Sequence, residues 1–174
     1  MKPIYLGKFL DLQINLLPAT LLTTFLLWIG LSAAAFFGMG IPAGESALIG
    51  LSATLLHWTS ILLHHLGHVA AAGRTGYPMS GILFGVFGLL ARDLYPADEP
   101  ELSPAIHIQR ALGGPIVSGL LSVLFLLLLP FWSGNWYWLG WFILLENVFV
   151  LTLQVFVPLS FNDGGTIWKN LRRK

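Results

Sequence analysis

Four stretches of this chain are each long and apolar enough to cross a bilayer, and that constrains its fold more than any other feature. A hydrocarbon core about 30 Å thick takes about 20 mostly apolar residues per helix. Residues 16–37, 46–72, 106–131 and 137–157 meet that length. The first carries no charge, the last third of the second is rich in His, the third is leucine-dense after Gly119, and the fourth holds one acid, Glu146. Hydrophobic residues make up 56% of the chain and charged residues 10%, with a mean hydropathy of +0.77, whereas soluble domains carry about 25% charged residues. A soluble globular domain and a disordered chain are both excluded. The lack of Cys excludes a disulfide scaffold. A net charge of +1 leaves no electrostatic footprint for nucleic acid. The first segment is too long for the apolar part of a signal peptide and has no small-residue cleavage site after it. The expectation is an all-α, multi-pass integral membrane protein: one transmembrane domain over residues 1–174, a bundle of about four helices, with the lipid bilayer as its first partner.

Orientation follows from the basic residues, which are retained on the cytoplasmic side. With the N-terminus inside, the inner segments hold Lys2, Lys8, Arg74, Arg92, Arg110, Lys169, Arg172, Arg173 and Lys174, all 9 of the Lys and Arg. The outer turns, near residues 38–45 and 133–136, hold none. Trp132, Trp136, Tyr137 and Trp138 gather at the outer turn as an interfacial aromatic belt. Both termini are therefore expected in the cytoplasm. The tail after Gly165 is too short for another span, so any gating helix is expected from a partner or a second copy in a homo-oligomer.

Between the second and third spans, Gly73-Arg74-Thr75-Gly76-Tyr77-Pro78 spells a turn. Residues 79–90 are apolar but broken by Gly81, Gly85 and Gly88, too short and too glycine-rich for a span. They are expected to form a β-hairpin or re-entrant segment packed against protein at membrane depth, where irregular backbone must be shielded from lipid. Asp98-Glu99-Pro100-Glu101 is expected to be a solvated loop.

Four of the 5 His residues, His57, His64, His65 and His68, lie on the second span, and His107 begins the third. His64 and His68, at i and i+4, stand one above the other on one helix face. His57 lies on roughly the same face, and His65 is rotated about 100° away. Polar side chains in a bilayer usually mark function. Two readings stay open: hydrogen-bonded interhelical contacts, or a pair of imidazoles on one divalent metal at about 2.0–2.1 Å. A catalytic zinc site takes a third protein ligand and keeps one position open. The fourth span ends on the same side as the second, and Phe161-Asn162-Asp163-Gly164-Gly165 follows it. Asp163 thus returns to the level of His64 and His68. Alone it is a cap or turn residue; beside the His helix it is a third ligand.

These residues resemble the site-2 protease family of intramembrane zinc metalloproteases. That family carries HExxH on one span, a Gly-Pro motif on a later helix, and a Pro followed by Asp-Gly near the end of another. The corresponding elements here are His64-His65-Leu66-Gly67-His68, Gly113-Gly114-Pro115-Ile116-Val117-Ser118, and Pro158-Leu159-Ser160-Phe161-Asn162-Asp163-Gly164-Gly165. The likeness covers about residues 46–165, roughly two thirds of the chain. It implies a three-helix core binding Zn²⁺ through His64, His68 and Asp163. It also implies hydrolysis of peptide bonds in transmembrane protein substrates, and a β-rich segment where a substrate strand adds by backbone pairing.

The chain departs from the pattern at one position: the catalytic Glu of HExxH falls on His65. Neutral imidazole is able to accept a proton. It differs from a carboxylate in reach, and once protonated it is repelled by Zn²⁺. Three readings of His65 follow: a weaker base, the mark of an inactive pseudoprotease that binds transmembrane segments, or part of a reshaped metal or cofactor site. A haem-binding or electron-carrying bundle, with His57 and His107 as spare axial ligands, is a more distant alternative. A transporter is weaker still, because no half of the chain repeats.

Among the other polar groups, Glu146 in mid-span costs about 2.5–3.5 kcal/mol on insertion scales and should face protein or water. The favoured reading is an interhelical hydrogen bond rather than a proton carrier. Gln154 is better placed for contact with substrate or with a metal-bound imidazole. His107 is expected at the inner interface. Gly113, Gly114, Ser118 and Gly119 give the third span a small-residue face for close packing.

Overall fold

The computed structural model describes residues 2–9 and 11–173. It is mostly helical, with a small mixed sheet at one end of a membrane-spanning bundle. In chain order the elements are β1 (Ile4–Phe9), β2 (Leu12–Leu16), α1 (Ala19–Ala33), α2 (Ala43–Arg74), β3 (Gly81–Val86), β4 (Leu90–Leu94), α3 (Pro104–Leu128), α4 (Tyr137–Leu145) and α5 (Asp163–Leu171). Among the described residues four helical stretches are long and apolar enough to span: Ala19–Gly38, Ala43–Arg74, Pro104–Phe131 and Gly134–Phe156. These are the four expected spans. α4 loosens into a π-helical stretch, Glu146–Thr152, and ends in a 3₁₀ turn, Leu153–Phe156.

α2 occupies the centre and packs against α1, α3 and α4. Small residues set its approach to α3. A Cβ at Gly67 would meet the Gly113 carbonyl and come within 2.8 Å of Val117, and a Cβ at Gly113 would meet Gly67 in turn. α1 is peripheral; Thr20 alone is buried within it. It is tied to α2 by Trp28 Nε1 donating to Ala47 O at 2.9 Å and Trp58 Nε1 donating to Thr24 Oγ1 at 3.1 Å. Leu21, Leu22, Leu55, Leu120, Leu127 and Phe149 are exposed, as side chains that meet lipid should be. The two turns opposite the sheet meet where Asn135 Nδ2 donates to Glu45 Oε2 at 3.0 Å.

The sheet runs β1-β2-β3-β4, with β2 parallel to β3 and the other pairs antiparallel. The expected hairpin is β3–β4, and it reaches Leu94 rather than stopping at residue 90. Its turn at 87–89 needs positive φ at Phe87 (49°) and Gly88 (88°), the conformation that matches strand twist. The turn is anchored in the bundle. Thr23 Oγ1 donates to Gly88 O at 2.6 Å, and His57 Nε2 lies 2.9 Å from Leu89 O. The N-terminal hairpin β1–β2 was not expected. Leu12, Ile14 and Leu16 alternate with Gln13 and Asn15, a period-2 pattern that placing the first span at residue 16 obscures.

The acidic loop differs in part from expectation. Asp98 and Glu101 are exposed, but Glu99 turns inward onto the buried Arg110. The guanidinium donates to Glu99 Oε1 at 2.6 Å, to Glu99 Oε2 at 3.2 Å and to Tyr77 O at 2.9 Å, and it stacks 3.8 Å from the Tyr95 ring centroid. A bidentate partner and an aromatic face make the buried charge tolerable.

Gly67→Ala should lower stability by about 1–3 kcal/mol through overpacking. Gly119→Ala should be neutral or stabilising, because its Cβ would meet nothing closer than Thr152 at 3.6 Å and Ala favours helix by about 1 kcal/mol. Reversible detergent unfolding of the two variants checks the contrast.

Candidate metal centre

His64 and His68 lie in the last third of α2, about 9–15 Å before its end at Arg74 at 1.5 Å per residue. Both are buried. The chain reaches them again after the fourth span. Val157 and Pro158 break the helical run, Asn162 caps α5 by accepting from Gly165 N at 2.8 Å, and Asp163 opens the helix. A Cβ at Gly164 would meet the Val157 and Gln154 carbonyls and one at Gly165 the Leu159 carbonyl, so this turn closes only with glycine there.

The three side chains converge. His64 Nε2 lies 3.1 Å from His68 Nε2 and 3.2 Å from Asp163 Oδ2, and His68 Nε2 lies 3.4 Å from Asp163 Oδ1. Ligands at about 2.0–2.1 Å around a tetrahedral zinc stand about 3.3 Å apart. The observed spacing is compatible with three side chains around one ion. The floor is Gly114, where a Cβ would land on the Nε2 atoms of His64 and His68.

The outer nitrogens decide what these atoms offer. His68 Nδ1 lies 2.9 Å from Arg110 O; a carbonyl only accepts, so Nδ1 carries the proton and Nε2 offers a lone pair. The Gly114 amide, 3.2 Å from the same Nδ1, therefore does not donate to it. Ser118 Oγ, 3.0 Å from His64 Nδ1, is able to accept in the same way. Such outer partners orient ligating imidazoles. Asp163 Oδ2 is buried with no hydrogen-bond donor. A carboxylate and two imidazole lone pairs facing one another form a donor set that fits a divalent cation.

His65 faces the other way, toward the sheet. Its Nδ1 lies 2.6 Å from Asp93 Oδ1 on β4, and Tyr95 donates to Asp93 Oδ2 at 3.3 Å. His65, His68 and Asp93 also lie close enough together to suggest a metal. The 2.6 Å contact is a hydrogen bond, too short for two ligands of one ion, and His68 Nδ1 is already engaged. His65 Nε2 has no hydrogen-bond partner among the described residues, and it is not among their buried unpartnered atoms. His65 lines a cavity of about 500 Å³ together with His64, His68, Asp93, Gln154 and Asp163.

The remaining candidates separate. Gln154 reaches the site, its Nε2 3.5 Å from His64 Nε2. His107 is partly buried at the rim of the cavity. His57 sits two turns away and pairs through Nδ1 with Glu146 on the fourth span. With Nε2 on Leu89 O, both of its nitrogens are engaged, so it offers no axial ligand to a haem. Glu146 thus makes the interhelical contact expected of it. Asp93 went unforeseen, because the expected hairpin stopped short of it. The Arg92-Asp93 pair between Ala91 and Leu94 was the signal available.

The sequence matches no protein-family model and no curated protein. Among solved structures, the fold is similar to the site-2 protease from Methanocaldococcus jannaschii, with a TM-score of 0.66 over 98% of this chain and 72% of that one, at 20% identity. That likeness shows a site-2-protease-like fold.

Glu146→Ala removes the buried His57's partner on the fourth span and should cost about 1–3 kcal/mol. Metal content should be unchanged. Loss of metal at unaltered stability, read by elemental analysis beside an unfolding curve, would place Glu146 in the centre instead.

Proposed function

We propose that this chain is an intramembrane metalloprotease of the site-2 protease type, with His64, His68 and Asp163 as zinc ligands and His65 at the place of the proton-transferring group. Its sheet end, which carries β1, α5 and the basic residues among those described, lies at the cytoplasmic face. The spacing of the two Nε2 atoms and the Asp163 carboxylate oxygens, 3.1–3.4 Å, carries this reading. Zinc in that cradle supplies Lewis acidity toward a scissile carbonyl and toward water. Ser118 Oγ and Arg110 O hold the two imidazoles in register, and Gly114 leaves room for them. β4 is the last strand of the sheet, and Leu90, Ala91, Arg92 and Asp93 line the cavity. An extended stretch of an unwound transmembrane segment is able to pair with that edge and lie across the site. The Gln154 amide stands beside it as a polar contact.

The second reading, an inactive pseudoprotease that holds transmembrane segments without cutting them, is favoured by one observation: position 65 carries no carboxylate.

Purified full-length protein should carry stoichiometric zinc, and His64→Ala combined with Asp163→Ala should remove it. Zinc retained in that double variant would overturn the ligand assignment. On the pseudoprotease reading, His65→Glu should cleave unfolded single-span peptides faster than wild type by about 10²–10⁴-fold, the usual range of a general acid–base contribution. Wild type cleaving as fast as that variant would end the pseudoprotease reading.

A further inference from the structure

We propose that Asp93 is the positioning residue of an Asp–His pair, fixing His65 with its proton on Nδ1 and its Nε2 lone pair toward the cavity. The inference deepens the proposed hydrolytic function and rests on it.

Four observations converge. The Asp93 carboxylate is 2.6 Å from His65 Nδ1, within the range of a charge-assisted hydrogen bond. Tyr95 donates to the other carboxylate oxygen, which turns Oδ1 toward His65. His65 lines the same cavity as the three ligand side chains, and its Nε2 is not among the buried unpartnered atoms. The His65 ring centroid lies 5.4 Å from that of His64 and 5.6 Å from that of His68. A base in the cavity wall therefore sits beside the cradle without belonging to it. Charge is conserved as well. A glutamate at this position brings one negative charge, and so does a neutral imidazole backed by an aspartate. The repulsion that an imidazolium would feel beside a divalent cation is offset from behind.

The step balances with water as the only co-reactant. Water gives a proton to His65 Nε2 as its oxygen bonds to the scissile carbonyl carbon. Asp93 holds the resulting imidazolium through Nδ1–H and remains ionised. The Nε2 proton then passes to the amide nitrogen as the C–N bond breaks, and His65 returns to its starting tautomer. The same division of roles between an orienting carboxylate and an imidazole occurs in hydrolases of unrelated fold.

The test uses full-length, zinc-loaded protein in detergent, with selectively ¹⁵N-labelled histidine and a set of synthetic unfolded single-span peptides as substrate. In wild type the His65 shifts should show protonated Nδ1 and unprotonated Nε2. In Asp93→Asn the Tyr95 hydroxyl retains the amide oxygen, the NH₂ faces Nδ1, and the proton should move to Nε2. Zinc content should hold in Asp93→Asn and in Asp93→Ala, while cleavage falls by about 10²–10⁴-fold. In a His65→Glu background the loss on Asp93→Ala should disappear, because there is no imidazole left to orient. A His65 proton found on Nε2 in wild type overturns the proposal. So does an equal loss on Asp93→Ala in both backgrounds, which marks a structural role. Zinc-loaded wild type that fails to cleave while His65→Glu cleaves overturns the pair but leaves the metal centre standing. Absence of zinc from both proteins overturns the parent reading, and the pair with it.

Discussion

Two imidazole lone pairs and a carboxylate held within 3.1–3.4 Å of one another repel unless positive charge lies among them. Away from bulk water that repulsion is stronger, because the local dielectric is lower. A single proton joins only two of three acceptors. The arrangement shows the shortfall directly: Asp163 Oδ2 is buried with no donor, although two nitrogens stand close by. A divalent cation satisfies all three. Much of the architecture around the site serves to force these atoms together, from a helix and a turn separated by almost 100 residues of chain.

Glycine does much of that work, through what its missing side chain permits. Gly67 and Gly113 let α2 and α3 touch at their backbones, and that contact lies within one turn of His64 and His68. Gly114, next along α3, clears the volume into which His64 and His68 project. Gly164 and Gly165 fold the return turn tightly enough to bring Asp163 to the same depth. On the opposite wall, the hairpin turn is fastened to α1 through Thr23 and to α2 through His57. The Glu99–Arg110–Tyr95 cluster pins the loop after β4 to the start of α3. The cavity thus lies between two anchored structures, a helix pair and a sheet edge.

How much of this the sequence disclosed depends on the range of the interaction. The four spans follow from local hydropathy alone, and the shared face of His64 and His68 from helix geometry, so both were legible. Asp163 was legible because span lengths fix depth, which brings it back to the level of the histidines. The β1–β2 hairpin was obscured because its apolar residues run directly into the first span; its partner, β3, lies some 65 residues away. Glu99 belongs to a charge run that ordinarily faces solvent, and only the position of Arg110 turns it inward. Asp93 is the most consequential omission. Its meaning depends on strand register, which places it opposite Ile82 across the sheet and beside a helix residue 28 positions earlier. Hydropathy does not encode that register. The π-helical stretch at Glu146–Thr152 likewise has no local signature, although it brings Glu146 to His57 and Asn147 to Ser60.

The register of α2 explains why an imidazole at position 65 takes its partner from the sheet. Successive helix residues are rotated by about 100°, so His64 and His68 face α3 and the return turn while His65 faces β4. A glutamate in that direction is a complete functional group: it is charged, it reaches through two methylenes, and it needs only space. An imidazole there is incomplete. It has two tautomers, one of which turns an N–H rather than a lone pair toward the cavity, and it carries no charge of its own. Both deficiencies are met by one acceptor placed against Nδ1, and β4 supplies it at Asp93. Position 65 and position 93 are thus physically linked. Either residue without the other would leave an unoriented ring or a buried acid at the edge of the cavity, and together they present one oriented lone pair with a countercharge behind it.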